Sequence, residues 1–228
     1  MTKKTFLGVM AVATAVVLTG GALIASNMGF KLNYTLTQPL SGGTGDTGTS
    51  TIALPNFRQA GLNNAKDLMD DIGFANVTNV QKYLKATASL QVYTGRKNVG
   101  GPNAFSLQPG EGYFVKMNTT TNYIVVGSHN PGQTYNLGQP LVGGTADNGT
   151  NFFAYNYHQT AADAKALMDD IGFASVTNVQ KYLKATSSLQ VYTGRKNVGG
   201  PNAFALTPGE AYYIKMNTTV NPYSPSHY

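Results

Sequence analysis

The chain contains the same segment twice, and this duplication constrains its fold more than any other feature of the sequence. Residues 65–119 and 164–218 align without gaps, and 47 of the 55 aligned positions are identical. The similarity continues upstream, where Tyr34-Thr35-Leu36 matches Tyr135-Asn136-Leu137 and a Gly/Thr-rich stretch follows in both copies. A repeat of roughly 100 residues has the size of an ordinary domain, so we expect two tandem domains with one fold.

Each copy carries several short strand patterns and a single helix pattern. Residues 65–72 and 164–171 space their apolar side chains as a helix does, follow Asn64 or Asp163 as N-caps, and end at glycine. Alternating or β-branched runs predict strands elsewhere, most clearly over residues 113–117. Five or six short strands with one short helix predict a mainly β chain, made of two tandem β-sandwiches or partly open barrels.

Composition is typical of exported β-rich modules. Charged residues make up only 11% of the chain, and the net charge of +6 is too small and too scattered to indicate a nucleic-acid partner. The chain has no cysteine, so its stability must come from core packing, subunit contacts or bound ions instead of disulfides.

The amino-terminal residues predict a secretory signal peptide over residues 1–25. Lys3 and Lys4 precede an apolar stretch from Phe6 to Ile24, with small residues near its end. We therefore expect an extracellular protein at the cell surface. The apolar stretch is long for a signal peptide, so an uncleaved membrane anchor is the alternative; otherwise no membrane association is expected.

The remaining boundaries follow from the repeat. We expect an extension strand over residues 26–32, a first domain over 33–128, a linker over 129–133 and a second domain over 134–228.

The two copies end differently. The first continues into a strand-like run, residues 122–127, whereas the second ends in a tail that contains Pro222 and Pro225. Proline lacks a backbone donor and fixes φ, so this tail predicts a second domain without its last strand. Residues 30–36 alternate apolar and polar side chains, as a strand with one buried face does.

An additional strand near the amino terminus and a second domain without its last strand together suggest polymerisation. An open sheet exposes unpaired backbone groups and an apolar groove, and a strand from another copy satisfies both. The alternative is that the segment pairs within its own domain, wholly or from Tyr34 onward. The expected donor residues are Met28, Phe30, Leu32, Tyr34 and Leu36, and the expected acceptor region contains Tyr212, Tyr213, Ile214, Met216 and Tyr223.

Several of these segments together resemble known secreted proteins. A Gly/Thr-rich strand, the helix Ala65–Ile72, the Tyr93-Thr94-Gly95 strand end and the Phe105–Tyr113 turn region resemble modules of secreted bacterial proteins of unknown function. The chain is also similar to subunits of pilus-like fibrils, in which the amino-terminal strand of one protomer completes an immunoglobulin-like domain of another. That resemblance implies immunoglobulin-like domains and donor-strand exchange, and its motifs are structural instead of chemical.

Candidate chemical groups do not converge in the sequence. Neighbouring helix residues such as Asp70-Asp71 or Asp169-Asp170 diverge around the helix and indicate a solvated face. Asp46 and Asp147 lie in Gly-rich turns that do not match a calcium loop. Glu111 and Glu210 follow a Pro-Gly turn and are expected to be turn or hairpin residues.

Basic and histidine residues give no clearer site. The Arg96-Lys97 and Arg195-Lys196 loops lack the spacing of a phosphate-binding loop, and the histidines are not shared between the copies. We therefore predict no enzyme, no cofactor and no metal. The favoured function is a homopolymeric structural subunit of an extracellular fibre or pilus. The alternative is an adhesin or glycan-binding module, in which Tyr-rich loops such as residues 93–105 stack on sugars.

Overall fold

The computed structural model describes residues 29–40, 45–95, 104–141, 143, 146–194 and 203–227. The predicted signal peptide, Met28, and the Arg96-Lys97 and Arg195-Lys196 loops lie outside the described residues.

Both repeats form mainly β domains with one short α-helix each, as the sequence predicted. Domain 1 contains β1 (Phe30–Leu36), β2 (Thr49–Ala53), β3 (Phe57–Arg58), α1 (Ala65–Ile72), β4 (Val77–Leu84), β5 (Ser89–Tyr93), β6 (Gly112–Met117) and β7 (Thr121–Ser128). Domain 2 contains β8 (Tyr135–Leu137), β9 (Thr150–Ala154), α2 (Ala164–Ile171), β10 (Val176–Leu183), β11 (Ser188–Tyr192), β12 (Ala211–Met216) and β13 (Val220–Tyr223). Short 3₁₀ turns cover Phe74–Asn76, Lys85–Thr87, Phe173–Ser175 and Lys184–Thr186.

Each domain pairs a four-stranded sheet with a smaller one. In domain 1 the strand orders are β2-β6-β4-β5 and β1-β7-β3, and in domain 2 they are β9-β12-β10-β11 and β8-β13. All of these pairings are antiparallel. The buried apolar side chains of each domain form one core that includes its helix.

The helix of each domain forms because its ends are well satisfied. The Asn64 side chain accepts hydrogen bonds from the amides of Lys66 and Asp67 at 2.9 and 3.1 Å, and Gly73 ends α1 at a φ of 109°. Such a positive φ favours glycine. α2 repeats this arrangement with its own aspartate cap and terminal glycine. The buried face of α1 consists of Ala65, Leu68, Met69 and Ile72.

Strand β1 completes its own domain. Its 7 residues pair with β7 along their whole length, from Phe30 opposite Gly127 to Leu36 opposite Thr121. Leu32 and Leu36 are buried. The expectation that this strand serves a neighbour is therefore not met in the single chain, because its backbone is already paired. Residues 30–32 belong to domain 1 and not to a separate extension.

Domain 2 is closed by its own carboxyl-terminal residues, so the prediction of a missing strand is wrong. β13 lies antiparallel to β8, with Val220 opposite Leu137 and Tyr223 opposite Tyr135. Pro222 falls at the irregularity between these pairs, on a strand with a single neighbour. A missing amide is tolerated at such a position because no second strand needs it.

Tyr223 has the same contact in domain 2 that Tyr123 has in domain 1. The Tyr123 hydroxyl donates to Asp71 at 2.8 Å, and the Tyr223 hydroxyl donates to Asp170 at 2.6 Å. Tyr123 directly follows an asparagine, whereas Pro222 lies between the corresponding asparagine and Tyr223 in the second copy. The closing strand was therefore present in the sequence, displaced by one residue.

The predicted acceptor region does not line an open groove. β12 has β10 on one side and β9 on the other, so its backbone offers no free edge. Tyr212, Ile214 and Met216 are buried in the core of domain 2. Tyr213 lies between the domains, and Tyr223 belongs to the closing strand.

The two domains pack against each other through one face of each four-stranded sheet. Phe114 stacks on Phe152 with ring centres 4.7 Å apart. Tyr83 meets Tyr213 edge-on at 5.2 Å, and Tyr182 meets Phe114 edge-on at 5.4 Å. Because aromatic side chains bury large apolar areas, this contact joins the tandem domains into one body.

Backbone hydrogen bonds across the boundary are reciprocal. The Ala53 amide of domain 1 donates to the Gly209 carbonyl at 2.6 Å, and the Ala154 amide of domain 2 donates to the Gly110 carbonyl at 3.1 Å. Equivalent residues make both contacts, as expected for two copies related by an approximate twofold axis.

Gly112 and Ala211 occupy equivalent positions and face each other at this boundary. A Cβ placed on Gly112 would lie 2.2 Å from the Ala211 Cβ and 3.0 Å from the Phe152 ring. Two methyl groups do not fit there, which explains one of the few differences between the copies.

We expect Gly112→Ala to lower the free energy of unfolding by about 1–3 kcal/mol, because it overpacks the contact between the domains. The double variant Gly112→Ala/Ala211→Gly moves the methyl group to the other side and should regain most of the loss. Urea denaturation measures both. Gly132→Ala is the control, because a Cβ there meets only Asn130 at an ordinary 3.5 Å. A single Gly112→Ala variant as stable as the wild type would contradict this packing.

Candidate functional site

Two equivalent grooves lie along the boundary between the domains. Groove A has a volume of about 300 Å³ and groove B of about 360 Å³. Groove A is formed by β4 and the Pro-Gly turn of domain 1 together with β8 of domain 2. Groove B is formed by β10 and the Pro-Gly turn of domain 2 together with β1 of domain 1. Groove A is lined by Lys82, Tyr83, Glu111, Tyr135, Asn136 and Asn151. Groove B is lined by Asn33, Tyr34, Thr51, Tyr182, Lys184 and Glu210.

The carboxylate in groove A, Glu111, contacts two neighbouring side chains. Glu111 pairs with Lys82 at 2.7 Å and accepts a hydrogen bond from the Tyr113 hydroxyl at 2.9 Å. Burial raises the pKa of Tyr113, and the charge of Glu111 raises it further, so the phenol keeps its proton. These two contacts fix the position of the Glu111 carboxylate in the groove wall.

Groove B repeats the same arrangement. Glu210 pairs with Lys181 at 2.9 Å and accepts from the Tyr212 hydroxyl at 2.6 Å. Burial raises the pKa of Tyr212, and its hydrogen bond to Glu210 adds to the effect. Glu111 and Glu210, predicted to be turn or hairpin residues, directly follow their Pro-Gly turns and also line the grooves.

The first strand of each domain supplies a tyrosine to the groove wall. Tyr34 donates to the Ala53 carbonyl at 2.7 Å, and Tyr135 donates to the Ala154 carbonyl at 3.3 Å. Burial raises the pKa of Tyr135 to about 12, so this hydroxyl also remains a donor at neutral pH. The grooves are thus built from side chains whose positions are fixed by hydrogen bonds.

Among the described residues, an ion pair crosses the boundary at Lys85 and not at the equivalent Lys184. Lys85 of domain 1 pairs with the nearly fully buried carboxylate of Asp147 in domain 2. Burial raises the pKa of Asp147, but hydrogen bonds from Lys85 and the Gly149 amide outweigh burial, and the pKa lies below its usual range. The equivalent Lys184 instead donates to the Thr37 carbonyl at 2.9 Å.

The aspartates have structural partners throughout. Asp46 and Asp147 accept from the amides of Gly48 and Gly149 at 2.7 and 2.8 Å, so each holds a turn, as expected. In the helices, Asp70 and Asp169 form exposed ion pairs with Lys66 and Lys165. The next residue in each helix, Asp71 or Asp170, accepts a hydrogen bond from a buried tyrosine, which the sequence did not indicate.

The three histidines of the chain lie together, which the sequence did not predict. The ring centres of His129 and His158 are 4.3 Å apart, and those of His129 and His227 are 6.3 Å apart. No sequence signal could have found this cluster, because the residues come from three separate segments. Among the residues that the structure describes, no group of three or more His, Cys, Asp or Glu side chains is arranged to hold a metal ion.

Two equivalent edge strands remain exposed. β5 and β11 have the identical sequence Ser-Leu-Gln-Val-Tyr, and each is the last strand of its four-stranded sheet. Leu90, Val92, Leu189 and Val191 are 38% to 44% exposed. The opposite edges of these sheets, β2 and β9, instead contact the other domain.

Comparison of the chain with protein-family models, with curated proteins and with solved structures gave no match. In the part of the chain that is described, no helix has the length and apolar character needed to cross a membrane.

Lys85→Met should lower the free energy of unfolding by about 2 kcal/mol, because it leaves the Asp147 carboxylate buried without its cation. This is below the range for fully buried pairs, since the Lys85 side chain is 28% exposed. Lys184→Met is the matched control. It should lower the free energy of unfolding by less, because Lys184 donates to the Thr37 carbonyl and not to a buried carboxylate. Chemical denaturation of both variants at neutral pH tests the difference, and equal losses would refute it.

Proposed function

We propose that the chain is a structural subunit of an extracellular fibre, in which copies join through the outer edges of β5 and β11. The observation that carries this proposal is the pair of identical, uncharged edge strands on one two-domain body, whose outer edges pair with no other strand among the described residues. The predicted signal peptide supports an extracellular location.

The edge strands lack the features that usually prevent pairing between molecules. Soluble β proteins protect their edges with charges, prolines or bulges. β5 and β11 contain none of these, and both present apolar side chains to solvent. An unprotected edge of this kind is a surface for adding another strand.

The strand sequence is complementary to itself. In an antiparallel pair centred on Gln91, Leu90 of one copy lies opposite Val92 of the next, on the same face of the joined sheet. β11 offers the same pattern. A body with two such edges can bind a neighbour at each, and repeated pairing produces an open-ended polymer.

Edge pairing requires less rearrangement than insertion of the amino-terminal strand. Insertion would first separate β1 from β7, with which all of its residues pair. Edge pairing leaves both domains intact. In such a fibre the joint is a pair of edge strands and not the inserted amino-terminal strand that the sequence suggested.

We expect the wild-type chain to form filaments visible by negative-stain microscopy, and Val92→Lys/Val191→Lys to remain monomeric, because lysine on an edge strand opposes pairing. Either single variant keeps one edge and should stop at dimers in sedimentation velocity. Ile124→Lys is the control, because Ile124 is equally apolar and 50% exposed but lies on the central strand β7.

Filaments that persist in the double-lysine variant would refute edge pairing. If those filaments also disappear when residues 28–36 are deleted from that variant, strand insertion by β1 is the joint instead. A wild-type chain that stays monomeric at high concentration would refute both forms of the fibre proposal.

Grooves A and B favour glycan binding as the second candidate function. Each places a partly exposed tyrosine, Tyr83 or Tyr182, beside polar side chains such as Asn136 or Thr51. Aromatic faces and fixed hydrogen-bonding groups are the usual elements of a concave ligand site. The predicted sugar-stacking loop, residues 93–105, lies partly outside the described residues.

If the grooves bind the same sugar, the monomeric Val92→Lys/Val191→Lys variant should give a hit on a glycan array. Calorimetry with that sugar should show two sites, since the grooves are equivalent. Adding Tyr83→Ala or Tyr182→Ala should each remove one site, with melting temperatures reporting any loss of folding. Binding that neither substitution alters would place the sugar elsewhere.

A further inference from the structure

The two grooves have equivalent backbones but different charges. Lysine side chains line both of them. In groove A each lysine has a carboxylate partner, because Lys82 pairs with Glu111 at 2.7 Å and Lys85 pairs with Asp147. The chain itself therefore neutralises the positive charge of groove A.

Groove B is lined by two lysines without such partners. Among the described residues, no ion pair includes Lys31 or Lys184. Glu210 also lines this groove, but Lys181 already lies 2.9 Å from its carboxylate. Lys31 has no basic counterpart in the second copy, where Gly132 is the corresponding residue. Groove B therefore has an excess of positive charge that groove A lacks.

The surroundings of Lys184 favour an anion beside it. Its ammonium donates to the Thr37 carbonyl at 2.9 Å and has further N–H donors. Burial lowers the pKa of Lys184, and the charge of Asp46 raises it without offsetting burial. The Asp46 carboxylate itself accepts from the Gly48 amide at 2.7 Å. An anion bound in the groove would stabilise the charged form of Lys184, since an opposite charge favours an ammonium.

The outer edge of β1 supplies hydrogen-bonding groups to the same groove. The Gln59 amide donates to the Val126 carbonyl at 3.0 Å, and the Val126 amide donates to the Gln59 side chain at 3.0 Å. The backbone of Val126 thus points away from β1, and the residue opposite it, Lys31, points away from β7. Because this pattern alternates along an antiparallel pair, the backbone groups of Asn33 and Thr35 also point to groove B, which they line.

This arrangement suits a small ligand that carries both hydroxyl groups and a negative charge. A hydroxyl donates and accepts, so it matches the amides and carbonyls of a strand edge. Tyr182 adds a partly exposed ring on which a sugar can stack. The volume of about 360 Å³ lies near the lower end of the range for small-ligand sites, about 300–1,000 Å³. Size and the aromatic ring therefore favour a sugar over an extended peptide.

We propose that groove B binds acidic saccharides, with Lys184 and Lys31 contacting a carboxylate or sulfate group and the outer edge of β1 contacting the hydroxyls. This inference rests on the second candidate function, glycan binding, and names the class of sugar. Groove A, in which each lysine is paired, does not share the preference for an anion.

A glycan array with neutral, uronic acid and sulfated members tests the proposal on the monomeric Val92→Lys/Val191→Lys chain. Acidic members should bind better than their neutral counterparts, and calorimetry with the strongest acidic hit should show one site. Raising the salt concentration from about 50 mM to about 300 mM should weaken this binding, because salt screens charges. Neutral sugars that bind equally well would overturn the inference and leave glycan binding intact. An array without any hit would contradict both.

In the same chain, Lys184→Met should weaken the acidic hit about tenfold or more, because a hydrogen bond between charged groups is lost. Lys31→Met should have a smaller effect, since this side chain is exposed. Lys165→Met is the matched control, because it removes the same charge from the exposed surface of α2. Affinity that is unchanged by Lys184→Met, or that is lost in Tyr83→Ala and kept in Tyr182→Ala, would overturn the assignment to groove B.

NMR titration of the monomeric chain with the same sugar needs no substitution in the groove, so it decides the matter if Lys184→Met does not fold. The amide signals of Asn33 and Thr35 should shift, and that of Asn136 in groove A should not. The opposite result would overturn the proposal. A hexaglutamate peptide that binds as tightly as the sugar and shifts the same signals would overturn the choice of a saccharide.

Discussion

The aromatic contact between the two four-stranded sheets determines what the rest of the molecule can present to its surroundings. Phe114, Phe152 and Tyr213 come together there, with ring centres 4.5 to 6.1 Å apart. Each sheet would otherwise expose a broad apolar face, which a small soluble domain rarely tolerates. Because each face covers the other, the surfaces that remain are the grooves at the margins of the contact and the strands farthest from it.

A contact between two copies of one sequence also creates differences between them. Ser187 accepts a hydrogen bond from the Thr47 amide at 3.3 Å across the boundary, whereas its counterpart Ala88 has no hydroxyl to do so. Lys85 finds a carboxylate where Lys184 finds a carbonyl. Nearly identical segments therefore make different contacts, because an approximate twofold axis places each against a slightly different partner.

Local patterns in the sequence were sufficient for most elements of the fold. The helices begin and end at the predicted residues because their caps and glycine stops are local signals, and β1 matches its alternating pattern over residues 30–36. The sequence does not indicate the closing strand of domain 2, because Pro222 is typical of a strand break. Proline breaks a central strand, and β13 has only one neighbour.

The sites required information that no local pattern contains. The residues of groove A come from both domains, and the histidine cluster joins positions as far apart as 129 and 227. Their meeting depends on how the domains pack, which amphipathic periodicity does not encode. The partner of β1 was also undecided in the sequence, since an alternating strand pairs equally well within a chain or between chains.

The Gly112–Ala211 pair bears on how this duplicated gene can evolve. Neighbouring repeats tend to become alike when one is copied over the other. Copying the second repeat over the first would bring two methyl groups to the same point between the domains, where a Cβ on residue 112 would lie 2.2 Å from that of Ala211. Copying in the reverse direction leaves only a small gap. Selection against one direction of conversion would preserve this difference after most others have been erased.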